Sequence, residues 1–193
     1  PKEVIRQAQQ LVDAGYKEIV LTGIHTGGYG TDMKDYNLAM LLRDIEEQVH
    51  GLKRLRISSI EASQLTDEVI DVIDRSNIVV RHLHIPLQSG SNTVLKRMRR
   101  KYTMEFFAER LNRLREALPG LAVTSDVIVG FPGETEEEFM ETYNFVKEHK
   151  FAELHVFPYS KRTGTPAARM ENQIDEEVKN ERVHRLITLS DQL

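Results

Sequence analysis

Five stretches of the chain bring polar, potentially reactive side chains next to glycine or to one another: Gly23–His25 within TGIHTGGYG, Ser59–Glu61, Gln88–Ser91, Ser125–Gly130 with the FPGE run after it, and Tyr159–Thr165. A carboxylate such as Glu61 or Asp126 can accept from an ammonium group or from ribose hydroxyls. An arginine can pair with a ligand carboxylate, and glycine lets a ligand approach the backbone closely. Together these groups suit a zwitterionic, ribose-bearing ligand. Taken singly the strings say less. TGIHTGGYG has no phosphate-loop lysine and does not match the dinucleotide fingerprint, so alone it reads as a flexible turn. His82 and His84 read as satisfied strand histidines, because no spacing of histidine or carboxylate completes a metal site, and none is expected. The acidic run Glu134, Glu136, Glu137 and Glu138 reads as helix-dipole and capping chemistry. Lys96, Arg97, Arg99, Arg100 and Lys101 read as a solvated basic face able to meet an anion.

These groups need elements to position them. Apolar spacing predicts helices over residues 1–14, through Leu38 to Val49, around Val69 to Ile73, from Phe107 to Leu118, after a Thr135/Glu138 capping box, and at the charged C-terminal end. Strands are predicted at 17–21, 54–60, 79–85, 122–130 and 153–159, with a basic loop between Pro86 and the fourth helix. Strand starts near 18, 53, 79, 122 and 153 match successive βα units and a parallel sheet. No linker or low-complexity stretch interrupts the pattern, so residues 1–193 read as a single domain. Five strands fall short of an eight-stranded barrel, which takes about 250 residues. The strand faces favour a curved, incomplete barrel over a flat sheet. Leu83, Ile85 and Leu87 alternate with His82, His84 and Gln88, and Leu154 and Val156 alternate with His155, Phe157 and Tyr159, which predicts a polar lumen holding the ligand.

Composition narrows the chemistry. The 193 residues contain no cysteine, which excludes disulfides, thiolate zinc sites, cysteine nucleophiles and cysteine-ligated iron–sulfur clusters within this polypeptide. The net charge of −4 conceals a basic stretch from Val94 to Arg115, with eight basic and two acidic residues, and an acidic one from Glu134 to Glu153, with seven acidic and two basic. No apolar run approaches a membrane span and no signal-peptide pattern opens the chain, so the expected location is cytoplasmic.

Read together, IPLQSGSNTVLKRMRRKYT (85–103), SDVIVGFPGET (125–135) and FPYSKRTGTPAA (157–168) resemble the radical S-adenosylmethionine methylthiotransferases. TGIHTGGYG with RISSIEASQLTDEVI looks most like the branch acting on threonylcarbamoyl-adenosine beside the tRNA anticodon. The resemblance implies an α/β fold, a partial (β/α) TIM-like barrel of the radical SAM type. It also implies S-adenosylmethionine as cofactor, contacted by Glu61, by Gln88 and Ser89 of the Q-S pair, by Arg100 and by Asp126, with Gly23 and His25 near the methionyl amino group. The chemistry implied is reductive cleavage of S-adenosylmethionine at a [4Fe–4S] cluster, hydrogen abstraction from carbon 2 of the adenine, and sulfur delivery and methylation involving a second [4Fe–4S] cluster. The tRNA anticodon stem-loop is the implied partner, held by Lys96, Arg97, Arg99, Lys101, Lys161 and Arg162.

The chain departs from that pattern. It has no C-x3-C-x2-C motif, no cysteine-bearing N-terminal domain and no C-terminal RNA-binding barrel. The expectation is a central fragment that lacks the first strand and the cluster loop, is inactive by itself, and could dimerise through an exposed sheet edge. Reductant and sulfur donor are left unspecified. The rival readings are a ribosomal-protein methylthiotransferase or another radical SAM enzyme, and a cofactor-free RNA-binding module using the Lys96–Lys101 patch.

Overall fold

The computed structural model describes residues 2–22, 37–162 and 164–193. Among them the elements run α1 (Lys2–Asp13), β1 (Glu18–Leu21), α2 (Leu38–Gln48), β2 (Arg54–Ile57), α3 (Asp67–Arg75), β3 (His82–His84), α4 (Asn92–Arg97), α5 (Met104–Ala117), β4 (Ala122–Val129), α6 (Glu136–His149), β5 (Glu153–Pro158) and α7 (Glu176–Gln192). The chain divides into two compact units, one made of Pro1–His84 and Arg110–Ala122, the other of Ile85–Glu109 and Val123–Leu193. No helix among the described residues is long and apolar enough to cross a membrane.

In the first unit β1 and β2 pair in parallel, from Glu18 opposite Arg54 to Leu21 opposite Ile57. Leu55 then bridges to Val79, also in parallel. Helix α2 packs against α1 and α3, and Leu42, Ile45, Leu55, Ile70 and Ile73 are all buried. Both α2 and α3 start on side-chain caps: Asn37 accepts from the Met40 N–H at 3.0 Å and Thr66 from the Val69 N–H at 3.2 Å. The expected strand at 79–85 narrows to His82–His84. Residues 78–80 instead bond to Leu55, through its N–H to Ile78 O and its carbonyl from Val80 N, and to the Ser76 hydroxyl, which accepts from the Ile78 and Val79 N–H groups.

In the second unit β4 and β5 are parallel, from Thr124 opposite Glu153 to Val129 opposite Pro158. Residues 85–88 run beside β4, with Ile85 N donating to Thr124 O, Gln88 N to Asp126 O and Ile128 N to Gln88 O, each at 2.9 Å. Phe107 sits at the centre of an aromatic cluster, edge-on to Phe145 at 5.9 Å and tilted against Phe151 at 6.5 Å. The Thr135/Glu138 capping box forms as expected: Glu138 N donates to the Thr135 hydroxyl at 3.1 Å and Thr135 N to the Glu138 carboxylate at 2.9 Å.

Two expectations are corrected here. The basic loop contains a helix, α4, because Ser91 caps it and Val94 and Leu95 are apolar residues with a core to enter. It closes with Arg99 in the left-handed region at φ 60°, while Arg99 N donates to Lys96 O and Arg100 N to Leu95 O. That is a Schellman ending with arginine where glycine is usual. Glu134, in turn, is not part of the dipole chemistry of α6. It precedes the cap, is 3% exposed, and accepts from Gly130 N at 3.0 Å and from Arg182 Nη1 of α7 at 2.7 Å.

Candidate cofactor and substrate site

Parallel strands present alternate side chains to opposite faces, and in the second unit this alternation builds a cavity. Asp126 and Ile128 of β4 share a face. Asp126 stands opposite His155 and Ile128 opposite Phe157 on β5. The buried face of β5 is carried by Leu154, whereas His155 and Phe157 are exposed. A cavity of about 540 Å³ opens over this face, bounded by Gln88, Asp126, Ile128, Phe157 and Tyr159, and closed beyond the strand by Ser160, Arg162 and Thr165. Its size and its mixture of apolar walls with a few polar groups are those of a small-molecule site. The period-2 pattern had marked Phe157 and Tyr159 as facing the ligand side. Ile128 and Thr165, which border the same space, lie within the stretches Ser125–Gly130 and Tyr159–Thr165 expected at the ligand end.

Gln88 enters this cavity on a strained turn. Its φ is 67°, uncommon for a residue with a Cβ. The Ser89 N–H reaches back to Leu87 O at 2.8 Å, which closes a three-residue turn centred on Gln88. Strain of this kind persists only where the surroundings impose it, and they are identifiable here. Gly90 N donates to the Thr142 hydroxyl of α6 at 2.8 Å, and Ser89 and Thr142 share a hydroxyl hydrogen bond at 3.3 Å. The Leu87 N–H and the Ile85 carbonyl are both satisfied by the Ser125 hydroxyl, and the Tyr102 hydroxyl donates to Leu87 O at 2.7 Å. Gly90 has to be glycine, because a Cβ there would lie 2.5 Å from the Thr142 Cα. Ser89 is fully buried, so it holds the turn instead of lining the cavity. Thr142 is a residue that sequence reasoning missed; nothing in its helical spacing separates it from an ordinary core position. Thr142→Val is expected to leave the buried Gly90 N–H without an acceptor and to cost about 1–3 kcal/mol. Thr142→Ser should restore most of that, and hydrogen exchange at the Gly90 amide together with chemical denaturation would show both effects.

The other expected site residues are distributed as follows. Glu61, half-buried in the first unit, precedes the short 3-10 turn Ala62–Gln64, and its N–H donates to the Gln64 side chain at 3.4 Å. Arg100 is exposed just past α4 and does not border the cavity. Gly23 and His25 lie outside the described residues. Of the basic set, Lys96, Arg99, Lys101 and Lys161 are exposed. Arg97 is committed elsewhere, with Nη2 at 2.5 and 2.6 Å from the two Glu138 carboxylate oxygens. Arg162 is exposed and borders the cavity that also holds Asp126 and Gln88.

The donor set fits a ribose-bearing, zwitterionic cofactor. Asp126 and the Gln88 amide supply polar contacts beside the apolar faces of Ile128 and Phe157, and the buried Tyr159 hydroxyl has no hydrogen-bond partner among the described residues. A thiolate-held cluster does not fit this chain's own residues, because none of the 193 is cysteine.

Comparison with known proteins gives a consistent picture. The family description "Radical SAM superfamily" matches residues 1–146. The chain is 83% identical over all 193 residues to the threonylcarbamoyladenosine tRNA methylthiotransferase MtaB of Bacillus subtilis, covering 43% of that protein. It is 44% identical over 189 residues to the tRNA-2-methylthio-N(6)-dimethylallyladenosine synthase of Lachnoclostridium phytofermentans, covering 97% of this chain and 41% of that one. The chain thus spans less than half the length of these curated relatives. Among solved structures, coproporphyrinogen III oxidase (HemN) of Escherichia coli superposes with TM-score 0.71 at 19% identity, covering 99% of this chain and 45% of the other. Methylornithine synthase (PylB) does so with TM-score 0.61 at 15% identity, covering 98% and 53%. These likenesses agree with the expected fold class, α/β with parallel strands in a partial TIM-like arrangement.

Proposed function

The chain belongs to the radical SAM superfamily, and on that premise we propose that it is a central part of a cytoplasmic tRNA methylthiotransferase that modifies carbon 2 of threonylcarbamoyl-adenosine beside the anticodon. The observation that carries the reading is the convergence of three separate strings on one cavity: Gln88 from the Q-S turn, Asp126 from β4 and Arg162 from the loop after β5. The 83% identity to the Bacillus subtilis relative across the whole chain supports the choice of nucleoside.

In this reading Asp126 and Gln88 hold the polar parts of S-adenosylmethionine, while Ile128 and Phe157 offer apolar surface to its base. When bound, S-adenosylmethionine supplies radical chemistry with electrons from a reducing [4Fe–4S] cluster, and a second cluster takes part in sulfur transfer; both are held by residues outside this chain. The chain's own work is to orient cofactor and nucleoside and to exclude water. Lys96, Arg99, Lys101 and Lys161 meet the phosphates of the anticodon stem-loop, and binding weakens as salt rises.

The test uses the full-length, cluster-loaded parent with reductant and tRNA carrying threonylcarbamoyl-adenosine, with mass spectrometry of the digested nucleosides. The expected product is the 2-methylthio derivative of that nucleoside. Product only on isopentenyl-adenosine, or only on a ribosomal protein, would overturn the reading.

A further inference from the structure

A nearly buried lysine stands behind the cavity. The side chain of Lys179, on α7, is 5% exposed, and it does not itself border the cavity. Lysine is among the residues least often buried, and an ammonium taken out of water needs partners. Its Nζ donates to the Tyr159 carbonyl at 3.1 Å and to the exposed Glu176 carboxylate, also at 3.1 Å. The same ammonium lies 5.4 Å from the centre of the Tyr159 ring, which Phe131 meets edge-on at 5.4 Å. The stem makes a second contact. It lies against Gly130, where a Cβ would come within 2.4 Å of Lys179 Cγ. Gly130 directly follows β4 and Tyr159 directly follows β5, and Tyr159 N donates to Val129 O at 2.8 Å. One side chain therefore braces the ends of both strands that build the cavity.

We propose that Lys179 is a positioning residue for this cavity: it holds the Tyr159 carbonyl, fixes the Tyr159 ring at the cavity border, and acts on the ligand through that ring. The inference rests on the function proposed above, in which the cavity takes S-adenosylmethionine. It deepens that reading by assigning part of the site to a helix beyond residue 146, where the family match ends. In parallel α/β architectures ligands sit at the carboxyl ends of strands, so a group that fixes those ends sets the shape of the rim. Packing alone does not call for lysine here. Methionine would cover Gly130 with a stem of similar length, but it has no donor for the Tyr159 carbonyl and no charge for the ring. Arginine keeps the Cβ, Cγ and Cδ atoms that face Gly130 and ends in N–H donors.

The full-length, cluster-loaded parent is held without reductant, and S-adenosylmethionine affinity is measured by equilibrium dialysis at a temperature where the variants are folded. Lys179→Met and Lys179→Gln, which both remove the ammonium, are expected to bind about tenfold more weakly than wild type. Lys179→Arg should recover most of the difference. Tyr159→Leu should weaken binding by a similar factor, and adding Lys179→Met to it should bring no further loss, because the effect passes through the Tyr159 side chain. A merely structural lysine gives a different pattern: the denaturant midpoint of Lys179→Met falls while the folded protein binds the cofactor as wild type does. That result, unchanged affinity in Tyr159→Leu, or a further loss from Lys179→Met in the Tyr159→Leu background overturns the assignment. Asp126→Ala separates this inference from the reading beneath it. Weaker binding in Asp126→Ala with wild-type affinity in Lys179→Met removes Lys179 alone, whereas wild-type affinity in both removes the cofactor from this cavity.

Discussion

Arg182→Met is expected to destabilise the second unit by about 3–5 kcal/mol, the usual consequence of removing one partner from a buried ion pair. The side chains of Arg182 and Glu134 are 6% and 1% exposed. Arg182 Nη1 lies 2.7 Å from the Glu134 carboxylate and 3.1 Å from its carbonyl, and the guanidinium stands 5.5 Å from the centre of the Phe139 ring. Methionine would keep most of the packing, but the carboxylate would retain only the Gly130 N–H at 3.0 Å. Adding Glu134→Gln to Arg182→Met should recover much of the loss, since a neutral amide still accepts from Gly130 and no buried charge remains. Little loss in the single variant, or no recovery in the double, would show that the pair contributes less than its burial implies. Denaturant midpoints of wild type, Arg182→Met, Glu134→Gln alone and the double variant decide it.

The same pair predicts a pH dependence. Burial pushes the Glu134 carboxyl above its ordinary value of 4.5, against the opposing pull of the Gly130 N–H and of Arg182. The folded state therefore keeps a proton at a pH where the unfolded chain has lost it. Its contribution is fully present below the ordinary carboxylate value and is lost as pH rises through the raised one. Removing Arg182 takes away part of the opposition, so the window in which stability falls with rising pH should widen in Arg182→Met. In the double variant that window should vanish.

Asp126→Ala in the full-length, cluster-loaded parent is expected to weaken S-adenosylmethionine binding about ten- to a hundredfold, the range for losing hydrogen bonds to a charged group. Asp126 faces the cavity from β4, is half-buried, and its main-chain carbonyl holds Gln88 N at 2.9 Å. Because that bond belongs to the backbone, Asp126→Ala should leave the turn at Gln88 in place, and the loss should report on the carboxylate alone. Asp126→Asn keeps the shape and removes the charge, so it should bind nearly as weakly as alanine if the charge is what the cofactor uses. Unchanged affinity in both variants would remove Asp126 from the cofactor site.

The strings that carry the family resemblance also carry the backbone devices that build the cavity, which is why its bordering residues Gln88, Asp126 and Arg162 were legible. Period-2 alternation placed Leu83, Ile85 and Leu87 on one face, which is buried, and Phe157 and Tyr159 on the face that borders the cavity, because strand geometry leaves a side chain only two directions. Capping chemistry at Thr135 and Glu138 was legible for the same local reason. The short helix α4 was not. Its six residues lie in a run dominated by Lys and Arg, and only the burial of Val94 and Leu95 makes a helix of it.

By itself, then, the sequence determined whatever depends on neighbours along the chain: the alternating βα elements, the caps, the family to which the motifs belong, and the absence of any cysteine to hold a cluster. Tertiary structure alone decided the fate of each charge. Arg97 and Arg162 look alike in the sequence, two arginines in basic surroundings. Folding gives Arg97 a carboxylate in Glu138 and leaves Arg162 free at the cavity. Likewise Glu134, one of a run of glutamates, is withdrawn from water and held by an arginine 48 residues away. Packing joins residues that no local spacing connects, and so decides which charges are withdrawn into buried ion pairs.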